Sequence, residues 1–219
     1  MATTSQSPVP DVQGPASAAP PTPTAAQTAT GPLDVMILQT AASLENLLVN
    51  AYTTAAGLSF VQTGNPTIRQ FVTKTGAQHA AHARAFNAAA KKAGGAAQTA
   101  VDPRYAPGIE HNLAVVTDAA SVASLLAMLE DVAAQTYTRY VSLSPNADVR
   151  KLFGTAAPVE AQHLSLLLVM QALLNGDAQE LIALPTQPPQ LPGKIGSVGL
   201  PDTFFPTTDA SAVDEGSVP

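Results

Sequence analysis

The chain has 219 residues, 46% of them hydrophobic, with 19 prolines, no cysteine and a formal net charge of −6. The absence of cysteine excludes disulfides, thiolate metal sites and thiol catalysis, and leaves the redox compartment open. Basic residues are scattered rather than striped, which argues against nucleic acid as a partner, and no unbroken run of about 18 apolar residues is present to predict a membrane span.

Proline divides the sequence into three parts. Seven prolines lie in residues 1–32 and seven in 185–219, leaving five for everything between. Residues 1–32 and 185–219 therefore read as disordered Pro-rich tails, which cannot bury enough apolar surface to order themselves. The folding unit is 33–184. Residues 1–30 lack the charged and apolar regions of a signal peptide. A leader already removed would leave the same picture, so localisation is left unknown.

Within 33–184, apolar residues recur at helical spacing in four segments. The first runs from about Leu33 to Ala56, with Gly57 as its C-cap. The second opens at Asn65-Pro66, a capping residue followed by proline at the first helical position, and continues to about Ala93. The third covers about Asp118 to Leu143. The fourth opens at Ser144-Pro145, again read as cap then proline, and ends at Asn175-Gly176. A short fifth helix is predicted at Asp177–Leu184. Short links make helices 1 and 2, and helices 3 and 4, antiparallel hairpins. The long segment between the hairpins can cross the length of a bundle, which is the ferritin-like arrangement of four helices.

The hairpins also look like copies of one another. Leu44-Glu45-Asn46 with Ala51-Tyr52-Thr53 recurs as Leu129-Glu130-Asp131 with Thr136-Tyr137-Thr138. Asn65–Arg69 aligns with Asn146–Arg150, and Gln78-His79-Ala80-Ala81-His82 aligns with Val159-Glu160-Ala161-Gln162-His163.

Six polar residues fall on otherwise apolar stripes. Glu45 lies on Leu38, Ala42, Val49, Tyr52; Glu130 on Ala123, Leu126, Ala134, Tyr137; His79 and His82 on Val72, Phe86, Ala90; Glu160 and His163 on Phe153, Ala156, Leu167, Met170. Steps of three and four place each stripe on one face, so the six point into the core. An isolated buried carboxylate costs several kcal/mol, and three facing one another attract protons or cations instead. Imidazole with carboxylate suits iron, manganese or zinc. The expected cofactor is one or two such ions per chain. Tyr52 and Tyr137, seven residues beyond their glutamates, are expected to pack in the core with a hydroxyl partner; the functional alternative is a hydrogen bond to a ligand or a role in radical transfer. His111 in the crossover is expected to be solvated.

This pattern resembles the ferritin-like di-iron carboxylate proteins, whose plan is Glu, Glu-x-x-His, Glu, Glu-x-x-His across four helices. Leu38–Tyr52 and Gln78–Asn87 are similar to the first two helices of the bacterial ferritin-like domain group that includes desiccation-related proteins. The resemblance covers about 35–175. It makes Glu45, His82, Glu130, Glu160 and His163 ligands, and puts His79, which can still ligate, where the plan has a glutamate. With three glutamates instead of four, two divalent ions are left one negative charge short. The resemblance thus implies a metal-binding protein, with oxidoreductase or metal-handling activity as its extension. The alternative is a non-catalytic scaffold or stress protein with a degenerate site. A monomer or homodimer is expected rather than a cage. Apolar residues in the last tail, Ile195–Leu200 and Phe204-Phe205, imply docking onto the chain's own bundle or onto a partner.

Overall fold

A computed structural model describes residues 31–183, 202–205 and 207. Helix is the only regular structure among the described residues. The elements are α1 (Pro32–Gly57), α2 (Ser59–Thr63), α3 (Pro66–Lys92), α4 (Ala106–Val115), α5 (Ala119–Leu143), α6 (Ala147–Asn175) and a final 3-10 turn, Gln179–Leu181. The four long helices are the four predicted, and the architecture is the expected ferritin-like helical bundle. Most of both tails, including Ile195–Leu200, lies outside the described residues.

Local chemistry sets the boundaries, and in three places differently from the sequence reading. Asn65 caps α3 as expected, its side-chain oxygen accepting from Thr67 N at 2.8 Å and Ile68 N at 3.3 Å. Its amide group donates to the carbonyls of Gln179 and Ile182, both at 3.0 Å, so the same residue fixes the end of the bundle. The cap of α6, however, is Asn146 rather than Ser144: its oxygen accepts from Asp148 N and Val149 N. Ser144 instead donates to Asp34 at 2.6 Å, tying the α5–α6 turn to the start of α1. Gly57 is the last residue of α1, and the link to α3 winds into α2, where Val61 is buried. The predicted fifth helix is a single 3-10 turn at Gln179–Leu181.

The crossover is more ordered than its Gly and Pro content implies. It contains α4, whose Ala106, Ile109 and Leu113 are buried, and it is laced along α1. Gln39 donates to Ala96 O, Asn46 to Gln98 O and Ala100 O, and Asp102 N to Ser43 O. These bonds satisfy the peptide groups of a segment that lacks a helical ladder. His111 and Glu110 sit on α4 and face solvent, as expected of His111.

α1 packs on α3, α5 on α6, and the two pairs meet through α1–α5 and α3–α6. Tyr137 meets Glu45 while Tyr52 meets Glu130, a register that requires α1 and α5 to run antiparallel. With α1 antiparallel to both α3 and α5, the latter two are parallel. The crossover must therefore traverse the bundle.

α6 is long and apolar enough, by length and composition, to pass for a membrane span. It is nonetheless a bundle helix, burying Phe153, Glu160, His163 and Leu167. It also holds Pro158 in its interior. That residue has no N–H for the carbonyl of Gly154, so the helix ladder is broken one turn before the site.

Candidate metal centre

Each of the six residues singled out on the stripes is at 0% exposure, and all six converge at the middle of the bundle. Donor atoms of Glu45, His79, His82 and Glu160 lie within 4.8 Å of one another, as do those of His79, Glu130, Glu160 and His163. The two groups share His79 and Glu160, so they form one centre. Glu160 spans it, with one oxygen 2.7 Å from His82 Nδ1 and the other 3.2 Å from His163 Nδ1.

Aromatic rings close the centre along the bundle axis. Phe71 stands edge-on to His163 at 6.2 Å, and Phe86 tilts against His82 at 6.5 Å. Phe86, Phe153 and Tyr137 continue the packing on one side, with centroids 5.1–5.8 Å apart. Water is thereby excluded, and every charge interaction inside is strengthened.

His79 lies at the heart of the network. Its Nδ1 is 2.9 Å from Glu45 Oε2 and its Nε2 is 3.0 Å from Glu130 Oε1. A ring with a carboxylate on each nitrogen donates from both, so the metal-free ring is an imidazolium. Burial alone would lower its pKa, but Glu130, Glu160 and Glu45 raise it well above the usual histidine value. The same contest lifts His82 to about 10 and raises His163. On the carboxylate side, burial pushes Glu45 and Glu130 up, while the facing histidines outweigh it: Glu45 is held at about 2, and Glu130 is also lowered.

These shifts fix the sign of the pH dependence of the metal-free bundle. The raised His82 contributes stability that is complete below its unfolded value of 6.5 and is lost as pH rises towards about 10. The depressed Glu45 contributes stability that is complete above 4.5 and is lost as pH falls towards about 2. Without metal, the bundle is most stable between those two windows.

The tyrosines act crosswise. Tyr52, on α1, donates to Glu130 on α5, and Tyr137, on α5, donates to Glu45 on α1 at 2.6 Å. Burial, then the neighbouring carboxylates, push both hydroxyls well above their usual pKa, so they remain donors. Both are core residues with a hydroxyl partner, as expected, and the packing sets that partner as the glutamate of the other helix.

Gln78 and Thr203 also touch the centre and were not singled out from sequence. His163 Nε2 donates to Gln78 Oε1 at 2.8 Å, and His82 Nε2 donates to the main-chain carbonyl of Thr203 at 2.5 Å. Outward donation from Nε2 leaves Nδ1 of both rings as the inward atom, the arrangement expected of metal-ligating imidazoles. The residues present fit a cation in one further respect. His82 Nδ1, Glu160 Oε1 and Glu130 Oε2 are buried without an aligned hydrogen bond, although His82 Nδ1 and Glu160 Oε1 are only 2.7 Å apart. At that separation the failure is angular: the two atoms are in reach but not aligned. Buried polar atoms rarely stay unpaired, and cations held by the two groups, one containing His82 and the other Glu130, would satisfy them.

Fold and centre together define a class: helical bundles whose core carries a carboxylate–imidazole cluster able to take metal. Within that class, the profile of the ferritin-like domain family matches residues 33–172. The chain belongs to the ferritin-like domain family. No curated protein and no solved structure matches it.

Proposed function

We propose that this protein binds iron or manganese in the bundle core, one or two ions per chain, with zinc compatible with the same donors. The observation that carries the reading is the convergence of six buried carboxylate and imidazole groups in two overlapping sets, with three of their polar atoms left unpaired. Glu45, Glu130 and Glu160 would supply the negative charge, and Nδ1 of His82 and His163 the nitrogen ligands. Tyr52 and Tyr137 would hold the carboxylates in place, and the phenylalanine rings would keep bulk water out. An iron or manganese ion held there would add one-electron redox chemistry, which is how oxidoreductase activity or metal handling would arise.

Formal charge favours one ion. Three carboxylates, one divalent ion and an imidazolium at His79 sum to zero. Elemental analysis of protein purified without a chelating tag tests the proposal, with about one ion per chain expected. No metal bound after anaerobic reconstitution with ferrous iron or Mn2+ overturns it.

A second reading, a non-catalytic scaffold or stress protein, draws on the double hydrogen bond of His79. Three carboxylates facing three imidazolium rings are also neutral, so protons alone can satisfy this core. That reading predicts thermal stability indifferent to added metal, whereas a real site makes metal stabilise the native state. We also read the two hairpins as a duplication, supported by the crosswise Tyr–Glu bonds, which exchange when one hairpin is mapped onto the other.

A further inference from the structure

We infer that Thr203 and Phe204 belong to the metal centre: the Thr203 carbonyl positions His82, and the Phe204 ring covers it, so this C-terminal segment governs how firmly an ion is held. The inference rests on the metal-binding reading above.

Three contacts seat the segment. His82 Nε2 donates to Thr203 O at 2.5 Å, the Phe204 ring lies 5.0 Å from the His82 ring, and Phe205 N donates to Thr155 O on α6 at 2.9 Å. The third contact has a cause in the sequence. Pro158 has no N–H for the carbonyl of Gly154, and a helix characteristically bends at an internal proline. Thr155 is the next residue, and its carbonyl meets the Phe205 N–H.

The first contact answers a need the bundle leaves unmet. His163 finds its acceptor in Gln78, the residue before His79. In the aligned hairpin the residue before Glu160 is Val159, which is buried and has no acceptor. His82 therefore cannot be held by the counterpart of Gln78, and a metal-ligating imidazole without an outer acceptor loses its preferred orientation. Thr203 supplies that acceptor from the far end of the chain. With Phe204 against the ring, His82 is fully buried.

The test uses the full chain, with Mn2+ alone as the probe. A double variant, Phe204→Ser/Phe205→Pro, removes the covering ring and the anchoring N–H. Phe205→Ala keeps the N–H and truncates a side chain that is 43% exposed, making it the control. In metal-free protein, 1H–15N NMR should show a slowly exchanging Nε2–H on His82 in the parent and the control. In the double variant that proton should be lost to solvent exchange. Equal protection in all three overturns the inference, whether or not metal binds. After loading, chelator should strip Mn2+ from the double variant about 10- to 100-fold faster than from the parent, with the same content at saturation. Adding Val159→Gln to the double variant should restore slow release by providing the missing acceptor. Equal release from parent and double variant overturns the proposal, as does fast release with Val159→Gln when helix content is unchanged. A parent that binds no Mn2+ overturns the ion-holding role together with the metal reading, and the NMR result then decides the His82 contact separately.

Discussion

Replacing His79 with glutamate should convert the centre from one ion to two. In the parent, His79 contributes a positive charge between Glu45 and Glu130, at 2.9 and 3.0 Å. His79→Glu removes that charge and adds a negative one, a change of two units in a site at 0% exposure. The four carboxylates then sum to −4, which two divalent ions neutralise and one does not. Metal-free, the variant strips Glu45 and Glu130 of the imidazolium between them and adds a fourth carboxylate with no cation of its own. Removing one member of a buried pair costs about 3–5 kcal/mol, so the metal-free variant should melt well below the parent. Metal should reverse the order, because a second bound ion adds its own stabilisation to the native state. The assay is metal content after equilibrium dialysis against Mn2+, paired with calorimetric melting with and without the ion. Content of one ion per chain in both proteins, or equal melting without metal, would refute the charge-balance argument.

The raised imidazoles must release protons before their nitrogens can ligate, so metal affinity should climb with pH. With His82 held at about 10, each pH unit below that value costs about tenfold, and apparent Mn2+ affinity should rise at least about 100-fold from pH ~6.5 to ~8.5 by calorimetric titration. Glu160→Gln leaves His82 and His163 without their shared carboxylate; it should cost about 3–5 kcal/mol in urea unfolding of metal-free protein and abolish stoichiometric metal binding. Asn65→Ala removes both the α3 cap and the ties to Gln179 and Ile182, and should cost about 1–2 kcal/mol in the same assay with metal content unchanged. Gly154→Ala, where an added Cβ meets nothing within 4 Å, should stabilise by about 0.5–1 kcal/mol.

The legible parts of this molecule are those encoded by periodicity. Four stripes of period 3.6 locate α1, α3, α5 and α6, and the six polar members of those stripes are the six that meet. A polar residue on an apolar stripe has one direction to point, so its convergence with others follows from the helix count. What sequence does not carry is the choice among equivalent local partners. Ser144 and Asn146 can each cap a helix. Asn146 does so because its side-chain oxygen reaches Asp148 N and Val149 N, freeing Ser144 for Asp34. The crosswise tyrosines depend on the register of α1 against α5, which no single helix specifies. α2 and α4 are too short for periodicity to mark, and their apolar residues are fixed by packing against the long helices. Thr203 could not be found from sequence at all, because a backbone carbonyl has no residue-type signature.

Two differences between the aligned hairpins bear on the centre; they are adjacent, and each has its own compensation. At one position His79 stands where the other hairpin has Glu160; at the position before it, Gln78 stands where the other has Val159. The first exchange removes a negative charge from one side of the core, and the protonated ring bonds the two glutamates it faces, so neutrality holds without a second ion. The second exchange leaves His163 with an acceptor and His82 without one, and the C-terminal segment fills that place. A symmetric pair of hairpins with four glutamates would bind two ions equivalently and need no tail. On the two proposals above, the differences at residues 78–79 give instead a centre with one resident imidazolium, a place for one divalent ion, and one histidine oriented by Thr203. Both proposals therefore follow from the same two-residue difference, and the His79→Glu and Val159→Gln variants restore the two halves of the symmetry independently.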